Sequence, residues 1–375
     1  MSNRATTSSP RFYDGEDDKA RRLNLMQSTP SPLHHETEPL PPLRSLHSSN
    51  LPGILDQLGA SLMVTTYQAG KLVLVRPDKG VINTHFRAFH QLMGRAIGNE
   101  RLAIGTEQEI IEFRNVPAAA KRLTPNDKHD ACYLPRTAHV TGNVLIHEMA
   151  YGGEELWFIN TRFSCLCTFD RDHSFVPRWR PRFILNLIPG DCCHLNGLAM
   201  KDGQPRWVTA LGETPEPEGW RKNKRNGGIL IDVATEQIIV RGLSMPHSPR
   251  WYRNRLWLLE SGSGSLGYVN QETGKYESIA RLGGFTRGLD FCGELAFVGM
   301  SQVRETATFS GLEITERLKD EERICGVYVI EITSGRTIAF LQFEDAVQEI
   351  FSVRVLTGKR YPVGSKYPVE PQLAC

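Results

Sequence analysis

The chain has 375 residues, 40% of them hydrophobic and 23% charged, with a formal net charge of +2. A charge so near balance argues against nucleic acid or an anionic membrane as the partner, and no apolar run is long enough to span a bilayer. The opening MSNRATTSSPRFYDGEDDKARR lacks the apolar core of a secretory signal, so the expected location is the cytoplasm.

Residues 1–48 are rich in Ser, Pro, Thr and charge and show no apolar period. Such a segment buries too little apolar surface to offset its ordering entropy and reads as a disordered tail. Ser49 and Asn50 then precede LPGILDQLG, with Pro52 early and Gly59 at the end, the start and stop signals of one short helix. Its apolar Leu51, Ile54, Leu55 and Leu58 share a face that is expected to cap one end of the following domain.

From about residue 60 the pattern changes to short β-type runs separated by Gly, Asn, Asp and Ser. Five runs repeat as second strands of successive units, beginning at Leu102, Leu156, Arg206, Leu256 and Leu295. Trp157, Trp207 and Trp257 fall at equal intervals. Units of about 40–50 residues with four short strands each are the period of propeller blades. One unit runs HSPRWY, RLWLLE, SLGYVN and KYESIARL, and the next TRGLDF, ELAFVG, CGVYVIEI and TIAFLQF.

The ends supply the closure. Residues 61–87 hold three strand-like runs and lack an inner one, while the run from Glu349 to Leu356 is left over at the other end. Inserting it inside the first three completes a blade and removes two open edges. The expectation is an all-β, six-bladed propeller over 49–365, closed by the C-terminal strand, with a tail at 366–375. A seventh blade would have to come from the 115–140 segment.

The eight cysteines form no paired CxxC knuckles and read as buried thiols of a reducing compartment. Adjacent Cys192 and Cys193 lie just before His194. There is no Gly-rich phosphate cradle, nucleophile elbow or HExxH. RWRPR (178–182) and RKNKR (221–225) read as solvated loop faces despite the interleaved Trp179 and Trp220, and HDACYLPR (129–136) reads as a connection able to cover the channel mouth.

The blocks TTYQAGKL (65–72), HLNGLAM (194–200), GGILIDV (227–233), MPHSPRWY (245–252) and TRGLDF (286–291) resemble a bacterial family of conserved β-propeller proteins with no assigned activity. That resemblance implies the fold and little else. More distantly, the inner-strand pattern is similar to gluconolactonase-type and strictosidine-synthase-type propellers, which place a divalent cation or a catalytic carboxylate on the axis. Likeness of fold does not fix function.

In a propeller the first residues of each inner strand line the central channel. Register against the second strands puts Met93, His147, Asn196, His247, Arg287 and Glu349 at comparable positions, with His194 starting its own blade. His147, His194 and His247 are the candidate ligands of a divalent transition metal such as Zn, Fe or Cu. Glu349 and Arg287 are the candidate catalytic pair, Arg287 able to hold a substrate anion or to pair with Glu349 or Asp290. Glu260 and Asp290 read as strand-end carboxylates or as partners orienting a histidine. Asn196, Arg250 and, with a shifted register, His139 are the candidate substrate contacts. Two functions follow: a metal-assisted hydrolase, lyase or oxygenase acting on a small polar substrate, or a non-catalytic module holding a peptide, glycan or protein partner.

Overall fold

The structure is a computed structural model describing residues 44–302, 310–318, 324–344 and 347–364. Residues 1–43 of the tail expected at 1–48, and the tail expected at 366–375, lie outside the described residues.

Six sheets form a six-bladed β-propeller. Blade 1 has Ile350–Thr357 as its inner strand, followed outward by Ala60–Thr66, Lys71–Asp78 and Val81–Ala88. Blade 2 comprises Arg95–Gly98, Arg101–Gly105, Glu109–Asn115 and Ala131–Val140. Blade 3 comprises Ile146–Gly152, Glu155–Asn160, Cys165–Thr168 and Val176–Trp179, and blade 4 Leu195–Lys201, Gln204–Ala210, Gly228–Asp232 and Ile238–Leu243. Blade 5 is Pro246–Tyr252, Arg255–Glu260, Ser265–Asn270 and Lys275–Arg281, and blade 6 Phe285–Cys292, Leu295–Ser301, Cys325–Glu331 and Thr337–Phe343. No helix among the described residues is long and apolar enough to cross a membrane.

The central strands read as nearly continuous apolar runs because each faces a neighbouring blade on both sides. Successive side chains point to opposite faces, so one blade feeds two interfaces. Blades 1 and 2 meet through Met63, Leu74, Leu102 and Phe113. Blades 4 and 5 meet through Trp207, Leu230, Leu256 and Val269, and Trp207 also stacks on Trp251 at 5.1 Å. The evenly spaced tryptophans are thus inter-blade spacers of one repeated station.

Ring closure follows the expected route. The strand Ile350–Thr357 pairs antiparallel with Ala60–Thr66, Ala60 opposite Thr357 and Thr65 opposite Ser352. Its other flank meets blade 6, where Gly288 has φ +86° and a Cβ would stand 2.5 Å from the Val353 nitrogen. Only glycine tolerates both conditions, which accounts for the glycine of TRGLDF.

Four expectations change. The propeller begins inside the segment assigned to the tail, because Ser45–His47 adds a fifth strand outside Thr337–Phe343. The helix Leu51–Gln57 does not cap the channel; Leu51 and Leu55 wedge into the apolar interface between blades 1 and 6. Asn50 gives its amide to the Ile338 carbonyl instead of capping the helix. The 115–140 segment makes no seventh blade and no lid. It holds the short helix Pro117–Ala120 and the outer strand Ala131–Val140, against which Pro362–Gly364 pairs in parallel.

Candidate functional site

A pocket of about 570 Å³ opens on the axis where the inner strands begin. Met93, His147, His194, His247, Arg287 and Glu349 all line it, so the structure brings six of the candidate positions to one pocket. Volumes of this order suit a small-molecule ligand.

His147 and His247 are built alike. The His147 Nδ1–H donates to the Leu145 carbonyl at 3.0 Å and lies 2.9 Å from the Thr161 hydroxyl. That hydroxyl gives its own proton to the Leu195 carbonyl at 2.6 Å, so it faces the imidazole as an acceptor. In blade 5 the His247 Nδ1–H meets the Met245 carbonyl and the Ser261 oxygen, both at 2.9 Å, and Ser261 donates to the Thr286 carbonyl at 2.6 Å. Leu145 and Met245 are both in left-handed backbone, at φ 55° and 48°. That conformation costs a bulky residue of order 1–3 kcal/mol and tends to gather at functional sites. Here it aims each carbonyl at the imidazole two residues on.

His194 reaches the same end by another route. Its Nδ1 stands 3.0 and 2.9 Å from the two oxygens of Asp191, and the Trp220 indole also donates to Asp191 at 3.2 Å. The His194 ring lies 4.7 Å from that of His147 and 4.6 Å from Trp220. Each ring therefore spends Nδ1 on the protein wall, and no Nε2 of the three has a hydrogen bond to a described residue. Burial, then His194 and the Arg287 guanidinium, hold His147 well below the ordinary imidazole value. Burial and Arg287 do the same to His247. Both are neutral, with a lone pair on Nε2. Among the described residues, no three His, Cys, Asp or Glu side chains are grouped as they stand to hold a metal ion.

Arg287 lies flat on Phe351, 3.7 Å from the ring centre, with its nearest carboxylate, Glu349, at 4.0 Å. Burial lowers its guanidinium to about 10, still cationic at neutral pH.

Three candidates fall elsewhere. Asn196 is buried, donating to the Pro246 carbonyl and accepting from Thr209, and so ties blade 4 to blade 5. His139 lies on the outer strand of blade 2, stacked on Phe169 at 4.2 Å. Arg250 leaves the pocket and enters an ionic lattice further down the axis. There Glu148 receives Arg250 at 2.9 Å and Arg95 at 3.3 Å, with Arg354 at 3.7 Å, while Asp290 binds Arg354 at 3.4 Å and accepts from the Val355 N–H at 2.9 Å. Five inner strands contribute, and Glu148 stays ionised because three guanidiniums outweigh its desolvation. Glu260 is a strand-end carboxylate accepting from the Ser244 N–H and the Ser263 hydroxyl.

Asp191, Arg162, Tyr67 and Trp220 line the pocket but were not singled out in the sequence as site residues. Trp220 is buried inside the stretch read as a solvated basic loop, on the turn Gly219–Asn223. It packs with Leu312 and Ile314 of the blade 6 insertion. Only the GDCCH spacing, placing Asp191 three residues before His194, offered a local signal.

The chain belongs to the family described as a domain of unknown function, DUF4915, whose model matches residues 49–364. No curated protein matches it. Similar solved structures include a chain of a nidogen/laminin complex (TM-score 0.52, 8% identity, covering 80% of this chain and 99% of that one). Another is a protein of unknown function from Bacteroides caccae (TM-score 0.51, 9% identity, 79% and 98%). At such identities the likeness shows the fold alone.

Proposed function

We propose that the axial pocket is the catalytic site of a metal-assisted enzyme acting on a small polar substrate. The observation that carries this reading is the shared anchoring of His147, His194 and His247 through Nδ1. An imidazole whose Nδ1–H is held by a carbonyl or carboxylate is oriented as metal-ligating histidines are. Three imidazole nitrogen donors from consecutive blades suit Zn, Fe or Cu. Uptake of an ion has to draw the three rings together from where they stand. A metal in such a site polarises a substrate oxygen or lowers the pKa of a bound water. Glu349, on the pocket wall, is positioned to add a carboxylate or take a proton, and Arg287 to hold an anionic group. Cys165, Cys167, Cys192, Cys193 and Cys292 are free thiols, which supports a reducing, cytoplasmic setting.

Elemental analysis of the purified protein tests the reading. The expected result is one equivalent of transition metal, lost in His147→Ala, His194→Ala and His247→Ala while β circular dichroism persists. Metal-free protein that takes up no added Zn²⁺, Fe²⁺ or Cu²⁺ overturns it. The His194–Asp191 pair supports a second reading, a metal-free site in which Asp191 orients His194 as general base. In that case substitution of His194 abolishes turnover while those of His147 and His247 raise KM. A pocket that binds a ligand without converting it leaves the binding module.

A further inference from the structure

We propose that Arg162 is an anion-binding residue of the axial pocket and that the natural ligand carries a carboxylate or phosphate group. The inference rests on the pocket being a ligand site and names the class of ligand it takes.

Arg162 follows the second strand of blade 3, and its backbone is held at both ends: its N–H donates to the Val144 carbonyl at 3.2 Å, and its carbonyl accepts from the Asp191 N–H at 2.9 Å. Its side chain lines the pocket. The Nε is shut off from solvent and so from any ligand as well, whereas the terminal nitrogens are not sealed in this way. The guanidinium makes no side-chain hydrogen bond or ion pair to a described residue, so those terminal nitrogens are the donors a ligand can reach. The neighbouring acids are engaged. Asp191 is taken by His194 and Trp220, and Glu218 by Arg221 at 3.0 Å. A guanidinium carries five donors in a rigid fork matched to carboxylate and phosphate. Terminal donors that no protein group engages are free to form that bidentate contact with an anion in the pocket. Arg287, over the Phe351 ring and 4.0 Å from Glu349, likewise has no hydrogen bond to a described residue.

The pocket thus presents two guanidiniums with no hydrogen bond to a described residue, beside the neutral imidazoles of His147 and His247. Tyr67, Trp220, Phe285 and Phe351 supply apolar wall between them. A small acid with an apolar body meets both demands.

Isothermal titration at fixed ionic strength with benzoate, inorganic phosphate and the neutral benzamide tests this. At least one anion is expected to bind the wild type and benzamide not to; which anion binds tells carboxylate from phosphate. Arg162→Gln should weaken that anion tenfold or more, with Arg162→Lys between, because a lysine keeps the charge without the fork. Metal content and melting temperature of Arg162→Gln should match the wild type. The assignment is overturned if neither anion binds better than benzamide, if Arg162→Gln binds as well as the wild type, or if that variant melts well below it. Metal analysis of the same samples separates the two readings: anion binding that needs Arg162 in metal-free protein keeps the anion site and removes the metal.

Discussion

Thr161 and Ser261 hold the same station in blades 3 and 5, each accepting from a histidine Nδ1–H and donating to the first strand of the next blade at 2.6 Å. One hydroxyl therefore orients an imidazole and fastens two blades. Thr161→Val keeps the shape and removes both bonds. It should cost about 1–3 kcal/mol of stability, since the Leu195 carbonyl loses its donor. If the histidines ligate metal, it should also weaken metal binding by about 10–100-fold. Thr161→Ser should restore both, and chelator competition beside urea denaturation separates the two effects. Unchanged metal affinity in Thr161→Val would confine the hydroxyl to the blade junction.

Glu148 is the hub of the axial lattice, 6% exposed on its side chain. Glu148→Gln leaves Arg95, Arg250 and Arg354 facing one another with Asp290 alone to balance them. A loss of about 3–5 kcal/mol is expected, as for removal of one partner of a buried pair, read from the urea midpoint. Arg354→Met should cost less, because it relieves part of the excess positive charge.

His85 offers a test by pH. Burial, with Arg87 and Arg76 nearby, lowers it to about 4. The unfolded chain takes up this proton near pH 6.5 and the native protein does not until about pH 4. The stability contributed by the neutral ring is complete above pH 6.5 and is lost as pH falls toward 4, at most about 3 kcal/mol in all. His85→Gln should flatten the fall in unfolding free energy between pH 7 and 5 relative to the wild type. Parallel curves would mean that the ring titrates alike in both states.

Ending the chain at residue 348 removes the inner strand of blade 1, exposing the edge of Ala60–Thr66 and the face of blade 6 that packs on that strand. The truncated protein is expected to aggregate or lack a cooperative melt, since unpaired edges recruit other chains. A normal melting curve would show that the ring closes without that strand.

The ring was legible because blade spacing leaves a mark along the sequence: tryptophans at even intervals, four short runs per unit, and one blade visibly short of a strand. The histidines were legible for the same reason, each sitting at the start of an inner strand. Arg250 was misplaced because an irregularity between His247 and Arg250 shifts the pairing with Arg255–Glu260, turning the side chain out of the pocket and into the lattice. The lattice left no local trace, since Arg95, Glu148, Arg250, Asp290 and Arg354 come from five blades with no shared spacing. His139 was drawn inward by a register that its long connection does not have. Trp220 was hidden by charged neighbours, although its burial is set by contacts with Leu312 and Ile314 from another blade.

The lattice around Glu148 also settles the direction of traffic. Arg95, Glu148 and Arg250 are buried where they meet, so among the described residues charged side chains fill the axis beneath the histidines. A ligand that enters by the pocket mouth has to leave by it. A spent ligand therefore blocks the way of the next one, and at high concentration it should compete with it for a single doorway.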